Sequence, residues 1–150
     1  MSDEAPKEES TLEQIEKRRA ERKRRTEAEA LKQREIDLAA IDALEEEHGD
    51  TNITVLEVPF APGLPTLVAA RTPTEAEIKR YRHRLKRKKA DAPPPDTQAA
   101  AEELAASCRV YPPDGEVYAE LLSKRPGVHL QLGVAAANLA LASAESEGKG

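Results

Sequence analysis

The pattern of apolar and polar positions predicts a long, charged helix near the start of the chain. Between Thr11 and Glu47 the sequence contains neither Gly nor Pro and is rich in strong helix formers. Ser10, followed by Glu13, has the spacing of a capping box for the first turn. Apolar residues recur at helical spacing only in the second half, at Leu31, Leu38, Ile41 and Leu44. We therefore expect a charged helical extension over 11–48 that docks through its second half alone.

Two short segments rich in β-branched residues, Ile53–Val58 and Thr66–Arg71, flank a Pro-rich loop. This arrangement predicts a small β-hairpin that needs a helix to cover it. Thr72 as the N-cap, with Glu75 at the third helical position, predicts that such a helix follows at once. The hairpin and this basic helix together make up the predicted segment 53–89.

The rest of the chain predicts a second group of helices beyond a Pro-rich stretch. Residues 90–96 contain three consecutive prolines and predict a semi-rigid linker, with Asp96 as the cap of the next helix. Apolar stripes then predict a helical subdomain over 97–145, with helices at Thr97–Cys108, Asp114–Ser123 and Val128–Ala142. Residues 1–10 are mostly charged or polar and could not contribute to a hydrophobic core, so we expect them to be disordered. The predicted fold class is mainly α: a small helical domain with a short β-hairpin and a long charged N-terminal helix.

The last predicted helix is apolar nearly all round, which requires burial on more than one side. Between Val128 and Ala142 its only polar side chains are His129, Gln131 and Asn138. We expect one face to lie in the core of the domain, through Leu130, Val134 and Leu141. We expect the other to meet a partner or a second copy, through Val128, Leu132, Ala136 and Leu139. Burial of the whole helix in its own core is the alternative.

Charge is segregated along the chain, whose total is −5. Residues 1–48 carry −5, residues 49–89 carry +5 and residues 90–150 carry −5. The basic middle contains a candidate anion-binding face: Lys79, Arg80, Arg82, Arg84, Lys86, Arg87, Lys88 and Lys89. Because no aromatic platform or known nucleic-acid motif accompanies it, a solvated or self-paired helix face is the simpler interpretation. The similar run Lys17–Arg25 lies among glutamates, which favours self-pairing there too.

Residues that carry catalytic or metal chemistry are scarce and scattered. Cys108 is the single cysteine, so it cannot form an internal disulfide, and it lies on an apolar stripe where cysteine packs as a small hydrophobe. His48, His83 and His129 do not cluster with it at zinc-ligand spacing. No phosphate-binding loop or known catalytic motif fits between the predicted elements. We expect no enzyme activity and no metal, nucleotide or redox cofactor.

The sequence shows no pattern typical of a secreted or membrane-spanning protein. Its first residues are acidic where a signal peptide would be basic. The most apolar stretch, Val128–Ala142, is too short to cross a bilayer. We expect a reducing, cytoplasmic setting.

Two segments carry a resemblance to a known protein family. Leu104–Pro112 reads Leu-Ala-Ala-Ser-Cys-Arg-Val-Tyr-Pro and is followed by Tyr118, Leu121, Leu122, a Lys-Arg-Pro-Gly turn at 124–127 and an apolar closing helix. The chain resembles bacteriophage tail assembly chaperones in these residues. Arg71–Arg82, with its Pro-Thr-x-x-Glu helix start, is similar to related small phage proteins. The likeness covers roughly 53–142, and the long N-terminal helix lies outside it.

The resemblance implies a non-catalytic protein that binds the tape measure protein and helps to recruit the tail tube protein. It implies that the protein acts in the cytoplasm of the bacterial host as part of a homo-oligomer or a hetero-complex. It implies no membrane partner. The client would lie against apolar faces of the last and first helices, at Val128, Leu132, Ala136, Leu139, Leu31, Leu38 and Ile41. Two alternatives remain open: a structural subunit of a phage tail or related assembly, retained in the virion, and a nucleic-acid-associated adaptor using the basic helix 78–89.

Overall fold

The computed structural model describes residues 10–86 and 90–148, and within them the chain is mainly helical, as predicted. Five α-helices and three short strands follow in the order α1 (Thr11–His48), β1 (Ile53–Glu57), β2 (Leu67–Arg71), α2 (Glu75–Leu85), α3 (Thr97–Cys108), β3 (Arg109–Tyr111), α4 (Gly115–Lys124) and α5 (Gly127–Gly148). A 3-10 turn, Asp50–Asn52, joins α1 to β1. Of the segment 1–10, predicted to be disordered, all but Ser10 lies outside the described residues.

The strands form one antiparallel sheet in the order β1-β2-β3, and helices cover both of its faces. Alternate residues of a strand point to opposite faces, and β2 shows the two directions clearly. Leu67 and Ala69 pack with Ile41 of α1. Val68 and Ala70 pack into a larger cluster with residues of α3, α4 and α5. The result is three layers: α1, the sheet, and the C-terminal helices.

The sheet has one strand more than the predicted hairpin. β3 lies between two helices, and its Tyr111 pairs with Ala69 of β2. A three-residue strand is too short to show an alternating pattern, so the sequence could not distinguish it from a connector. Because β3 pairs with its second edge, β2 is the central strand, and its first four residues are buried.

The Pro-rich stretch at 90–96 does not divide the chain into two cores. Val58, Val68 and Ala70 of the hairpin share one buried cluster with residues of α3, α4 and α5. Across the linker, Arg84 of α2 pairs with Glu103 of α3. The subdomain expected over 97–145 is therefore part of the same packed body, since its β3 completes the sheet.

The start of α2 differs from the prediction by two residues. Thr72 donates its amide N–H to the carbonyl oxygen of Asn52 at 2.9 Å, so it extends the hairpin and does not cap the helix. The N-cap is Thr74, whose Oγ1 accepts a hydrogen bond from the amide N–H of Glu77. The Glu77 carboxylate accepts the Thr74 N–H in return and completes a capping box. The N-caps of α1 and α3, Ser10 and Asp96, are those predicted.

The orientation of α5 is the reverse of the predicted one. The face expected to meet a partner lies mainly in the core, where Val128, Leu132 and Ala136 are buried. Leu139 of that face is half-buried. On the face expected to lie in the core, Val134 and Leu141 are 44% and 49% exposed.

The packing of α5 on α3 accounts for this orientation. Gly133 of α5 lies directly against the backbone of Ala101 in α3. This contact turns the side of the helix that carries Leu132 and Ala136 toward the core. Because α5 has two apolar faces, its apolar periodicity could not show which of them lies in the core. Gly133 could have indicated that face, because a glycine permits close approach of another backbone.

Candidate binding groove

An apolar groove lies between the second half of α1 and the loop end of the hairpin. Its volume is about 700 Å³, and it is open to the surface. It is lined by Glu27, Ala30, Leu31 and Arg34 of α1, and by Glu57, Val58, Pro59, Phe60, Thr66 and Leu67 of the hairpin and its loop. A groove of this size can receive several side chains of another polypeptide.

The rim of the groove carries exposed apolar side chains. Val58 and Leu67 are buried below it. Leu31 of α1 is 66% exposed, although full burial of a leucine gains about 1.5–3 kcal/mol. Phe60, the single phenylalanine, is half-buried on the hairpin side. Leu31 and Phe60 are therefore the side chains that a partner would cover first.

An ion pair links the two walls of the groove. Nη2 of Arg34 lies 2.8 Å from Oε1 of Glu57 at the end of β1. Both side chains are more than half exposed, so the pair contributes at most about 1 kcal/mol to stability. The two opposite charges satisfy each other, and an apolar partner would meet no unpaired charge at this point.

A buried carboxylate anchors the α1 wall, and sequence analysis missed it. Asp37 has no exposed surface. Its Oδ2 accepts hydrogen bonds from the amide N–H of Thr66 at 2.7 Å and from the Thr66 hydroxyl at 2.6 Å. Its Oδ1 accepts hydrogen bonds from the Tyr111 hydroxyl and from Nε2 of Gln33 at 3.0 Å. Burying a carboxylate is costly unless hydrogen bonds satisfy it, and here four donors do so.

This carboxylate fixes α1 to the sheet and so preforms the groove. Thr66 directly precedes β2, and Tyr111 ends β3. Burial raises the pKa of the Tyr111 hydroxyl, and its hydrogen bond to Asp37 raises that pKa further, so the phenol stays protonated as a donor. The position of Asp37 in the sequence could have indicated its burial, because it lies one helical turn before Ile41 on the same face.

The three predicted partner contacts of α1 differ in accessibility. Leu31 lines the groove. Leu38 is 45% exposed and does not belong to the groove lining. Ile41 is 4% exposed and packs against the sheet, so it is a core residue that a partner cannot reach.

A smaller groove, of about 280 Å³, lies between α2 and α5. It is lined by Ile78, Tyr81, Arg82, Leu85, Val134, Ala137, Asn138 and Leu141. The exposed apolar residues of α5, Val134 and Leu141, both border it. Among the described side chains of α5, the large apolar ones that are exposed therefore border this groove, whereas the face predicted from the sequence lies mainly in the core.

The basic residues of α2 are exposed, and two of them already have acidic partners. Lys79 lies 3.3 Å from Glu75 one turn earlier, and Arg84 pairs with Glu103. Within the described part of the chain, no ion pair involves Arg80, Arg82 or Lys86. Three further residues of the predicted anion-binding face lie outside the described residues: Arg87, Lys88 and Lys89.

A polar cluster surrounds the single cysteine. Arg71, at the end of β2, makes a bidentate ion pair with Glu77 of α2, with distances of 2.7 Å from Nη1 to Oε1 and 3.1 Å from Nη2 to Oε2. Arg71 also donates to the carbonyl oxygen of Ser107 at 2.9 Å. Sγ of Cys108 lies 4.0 Å from Oε1 of Glu77. Cys108 is fully buried in the larger core cluster, which confirms its predicted packing role.

The protonation states of this cluster oppose nucleophilic chemistry. Burial, and then the charge of Glu77, raise the pKa of the Cys108 thiol to about 11, so the thiol is protonated at neutral pH. The hydrogen bond from Arg71 is the main reason that the pKa of Glu77 falls to about 2, which makes this carboxylate a weak base. The cluster therefore acts as a structural link between β2, α2 and the end of α3.

The described residues contain no group of three or more His, Cys, Asp or Glu side chains placed to hold a metal ion. In residues 10–86 and 90–148, no helix combines the length and the apolar character needed to cross a membrane. Comparison of the chain with protein-family models, with curated proteins and with solved structures finds no match. The resemblance to tail assembly chaperones therefore stays a prediction that depends on the residues quoted for it.

Proposed function

We propose that this protein is a non-catalytic phage tail assembly chaperone that holds an apolar segment of the tape measure protein. The observation that supports the proposal most strongly is the groove between α1 and the hairpin, with Leu31 and Phe60 at its rim. The resemblance suggests a tape measure protein as the client, and the groove supports the proposal with an accessible apolar surface.

The groove favours an elongated apolar client over a small polar ligand. Apolar side chains from two elements line it, and the ion pair of Arg34 with Glu57 is satisfied without a ligand. An amphipathic helix binds such a groove through side chains at i, i+3 or i+4, and i+7. A tape measure protein has long helices with apolar stripes, which aggregate unless another surface covers them.

The remaining surface suits a protein that keeps its client in solution. Charged residues make up 34% of the chain, and those of α1 are mostly exposed. A charged exterior opposes association between complexes. The smaller groove between α2 and α5 would then serve a second contact in the assembly, with the tail tube protein or with another copy of the chain, in the cytoplasm of the host.

Co-expression with the tape measure protein of the same phage genome tests this proposal. Leu31→Asp places a charge in the groove, and Ile36→Asp is the matched control, since Ile36 is 62% exposed on α1 outside the groove lining. We expect the wild type and Ile36→Asp to keep the client soluble and to co-purify with it. Leu31→Asp should lose at least about tenfold in co-purified client, because binding would bury an unpaired carboxylate. Equal recovery with all three proteins would contradict the assignment of the groove.

A further inference from the structure

The first half of α1 is an exposed helical arm with a strongly basic centre. From Thr11 to Thr26 every side chain is exposed except that of Ile15, which is half-buried. The centre, Lys17–Arg25, contains seven Lys or Arg residues against a single acid, Glu21. It carries +6 in a chain whose total is −5, so it is an island of positive charge on an acidic protein. We call Lys17–Arg25 the basic arm.

The self-pairing expected for the basic arm is not found at six of its seven cations. Within the described residues, no ion pair involves Arg18, Arg19, Arg22, Lys23, Arg24 or Arg25. Some glutamates of α1 lie at a helical spacing that suits an ion pair, but they do not pair with these six cations. The six side chains are therefore exposed to solvent. An external polyanion could contact these side chains without first breaking an internal ion pair.

The cations project from more than one side of the helix. Arg18, Arg22 and Arg25 share one face at i, i+4 and i+7, while Arg19 and Lys23 share another at i and i+4. A helix that meets a flat anionic surface needs cations on one side only. Cations on several sides fit a helix that lies between two rows of negative charge.

The composition of the basic arm narrows the class of polyanion. Ala20 is its only apolar residue, so it has no face that could enter a lipid bilayer. It has no aromatic residue on which unpaired bases could stack. The major groove of duplex DNA is about 12 Å wide and admits an α-helix between two rows of phosphates. We propose that the basic arm binds duplex DNA, mainly through its phosphates and with little base preference.

Fluorescence anisotropy with the full chain and a short labelled DNA duplex, at several salt concentrations, tests this proposal. The arm variant combines Arg18→Gln, Arg22→Gln and Arg25→Gln. It should bind at least about tenfold more weakly, and the slope of log K against log salt should fall by up to about 3, since each lost phosphate contact removes about 0.9. The control variant removes the same charge from α2 and its C-cap, through Arg80→Gln, Arg82→Gln and Lys86→Gln. It should bind within about twofold of the wild type, because these residues lie outside the arm.

Several results would overturn the proposal. They are no binding of the duplex by the wild type, an equal loss in both variants, and a loss in the α2 variant alone. Tighter binding to vesicles of phosphatidylserine and phosphatidylcholine, or to polyglutamate, would assign the arm to another partner. Circular dichroism shows whether the arm variant keeps its helix. Because the arm lies outside the client groove, Leu31→Asp should still bind DNA and the arm variant should still bind the tape measure protein, so the two proposals can fail independently.

Discussion

Gly133 of α5 lies so close to Ala101 of α3 that a Cβ atom on Gly133 would sit 1.9 Å from the carbonyl oxygen of Ala101. That oxygen belongs to the backbone of a helix, so no change of rotamer could relieve the overlap. Other small residues within about one helical turn of these two positions in the sequence, Ala100, Ala105 and Ala136, are buried as well. The close approach of the two helices is therefore a property of their small side chains, and it determines which face of α5 lies in the core.

Gly133→Ala should destabilise the protein by about 3 kcal/mol or more, at or above the upper end of the usual range for overpacking, because α5 must move away from α3. Gly127→Ala is the matched control, since a Cβ atom there meets nothing within 4 Å. It should cause no loss of stability, because alanine favours a helix more than glycine does. Urea unfolding monitored by circular dichroism gives both values. Similar midpoints for the two variants would show that α5 does not lie against the backbone of α3 at Gly133.

Asp37→Ala should cost about 3 kcal/mol, because it removes the acceptor for the buried Thr66 amide and the Tyr111 hydroxyl. Each buried donor left without a partner costs about 1–3 kcal/mol. Asp42→Ala, at an exposed position of the same helix, should stay within about 0.5 kcal/mol of the wild type. The free energies of unfolding of the three proteins check this prediction. If the two variants lost the same small amount, Asp37 would not be the anchor of α1.

Structural features that depend on residues close together in the sequence were predicted correctly. Ser10 and Asp96 mark the starts of helices because each side chain accepts a hydrogen bond from an amide three residues later. Leu31 stands out by apolar spacing alone, and it is the part of the groove that sequence analysis found. Thr72 misled the prediction because its partner, Asn52, lies 20 residues earlier.

The features that the sequence did not predict depend on contacts between distant segments. Asp37 is buried by Thr66 and Tyr111, which lie 29 and 74 residues away. β3 is a strand only because β2 offers it an edge, and Phe60 borders a groove only because α1 lies beside its loop. Periodicity describes one element at a time, so it could identify the apolar residues but not their partners.

Glu77→Gln should destabilise the protein at neutral pH, and the difference from the wild type should shrink in acid. The pKa of Glu77 is about 2 in the folded protein against an ordinary 4.5, so its ionised form favours folding. That contribution is present above about pH 4.5 and is lost as the pH falls toward 2. Glutamine can still serve the capping box at this position.

Glu75→Gln is the control for this pH dependence. Glu75 is highly exposed, and within the described part of the chain its one ion pair is with Lys79 one turn later. Its removal should change stability little at any pH, because exposed pairs of this kind contribute at most about 0.5 kcal/mol. Urea unfolding between pH 2 and pH 7 measures both differences. A Glu77→Gln difference that stayed constant over this range would contradict the lowered pKa.

Cys108 should react slowly with thiol reagents in the folded protein. Its pKa of about 11 leaves roughly one thiol in a thousand ionised at pH 8, and the side chain is fully buried. Reaction with 5,5′-dithiobis(2-nitrobenzoic acid) at pH 8 should be at least about 100-fold slower than in guanidinium chloride, where the thiol has an ordinary pKa. Equal rates in the two conditions would refute the burial of this thiol.

The slow reaction of Cys108 leaves a single engineered cysteine as the reactive site for a crosslinker. Phe60→Cys and Ile36→Cys, each labelled with a benzophenone maleimide, place the crosslinker inside the groove and on the outer side of α1 respectively. After irradiation of the complex with the tape measure protein, we expect strong crosslinking from position 60 and at most background from position 36. Crosslinking from position 36 alone, or equally from both positions, would contradict the central claim that the groove between α1 and the hairpin holds the client.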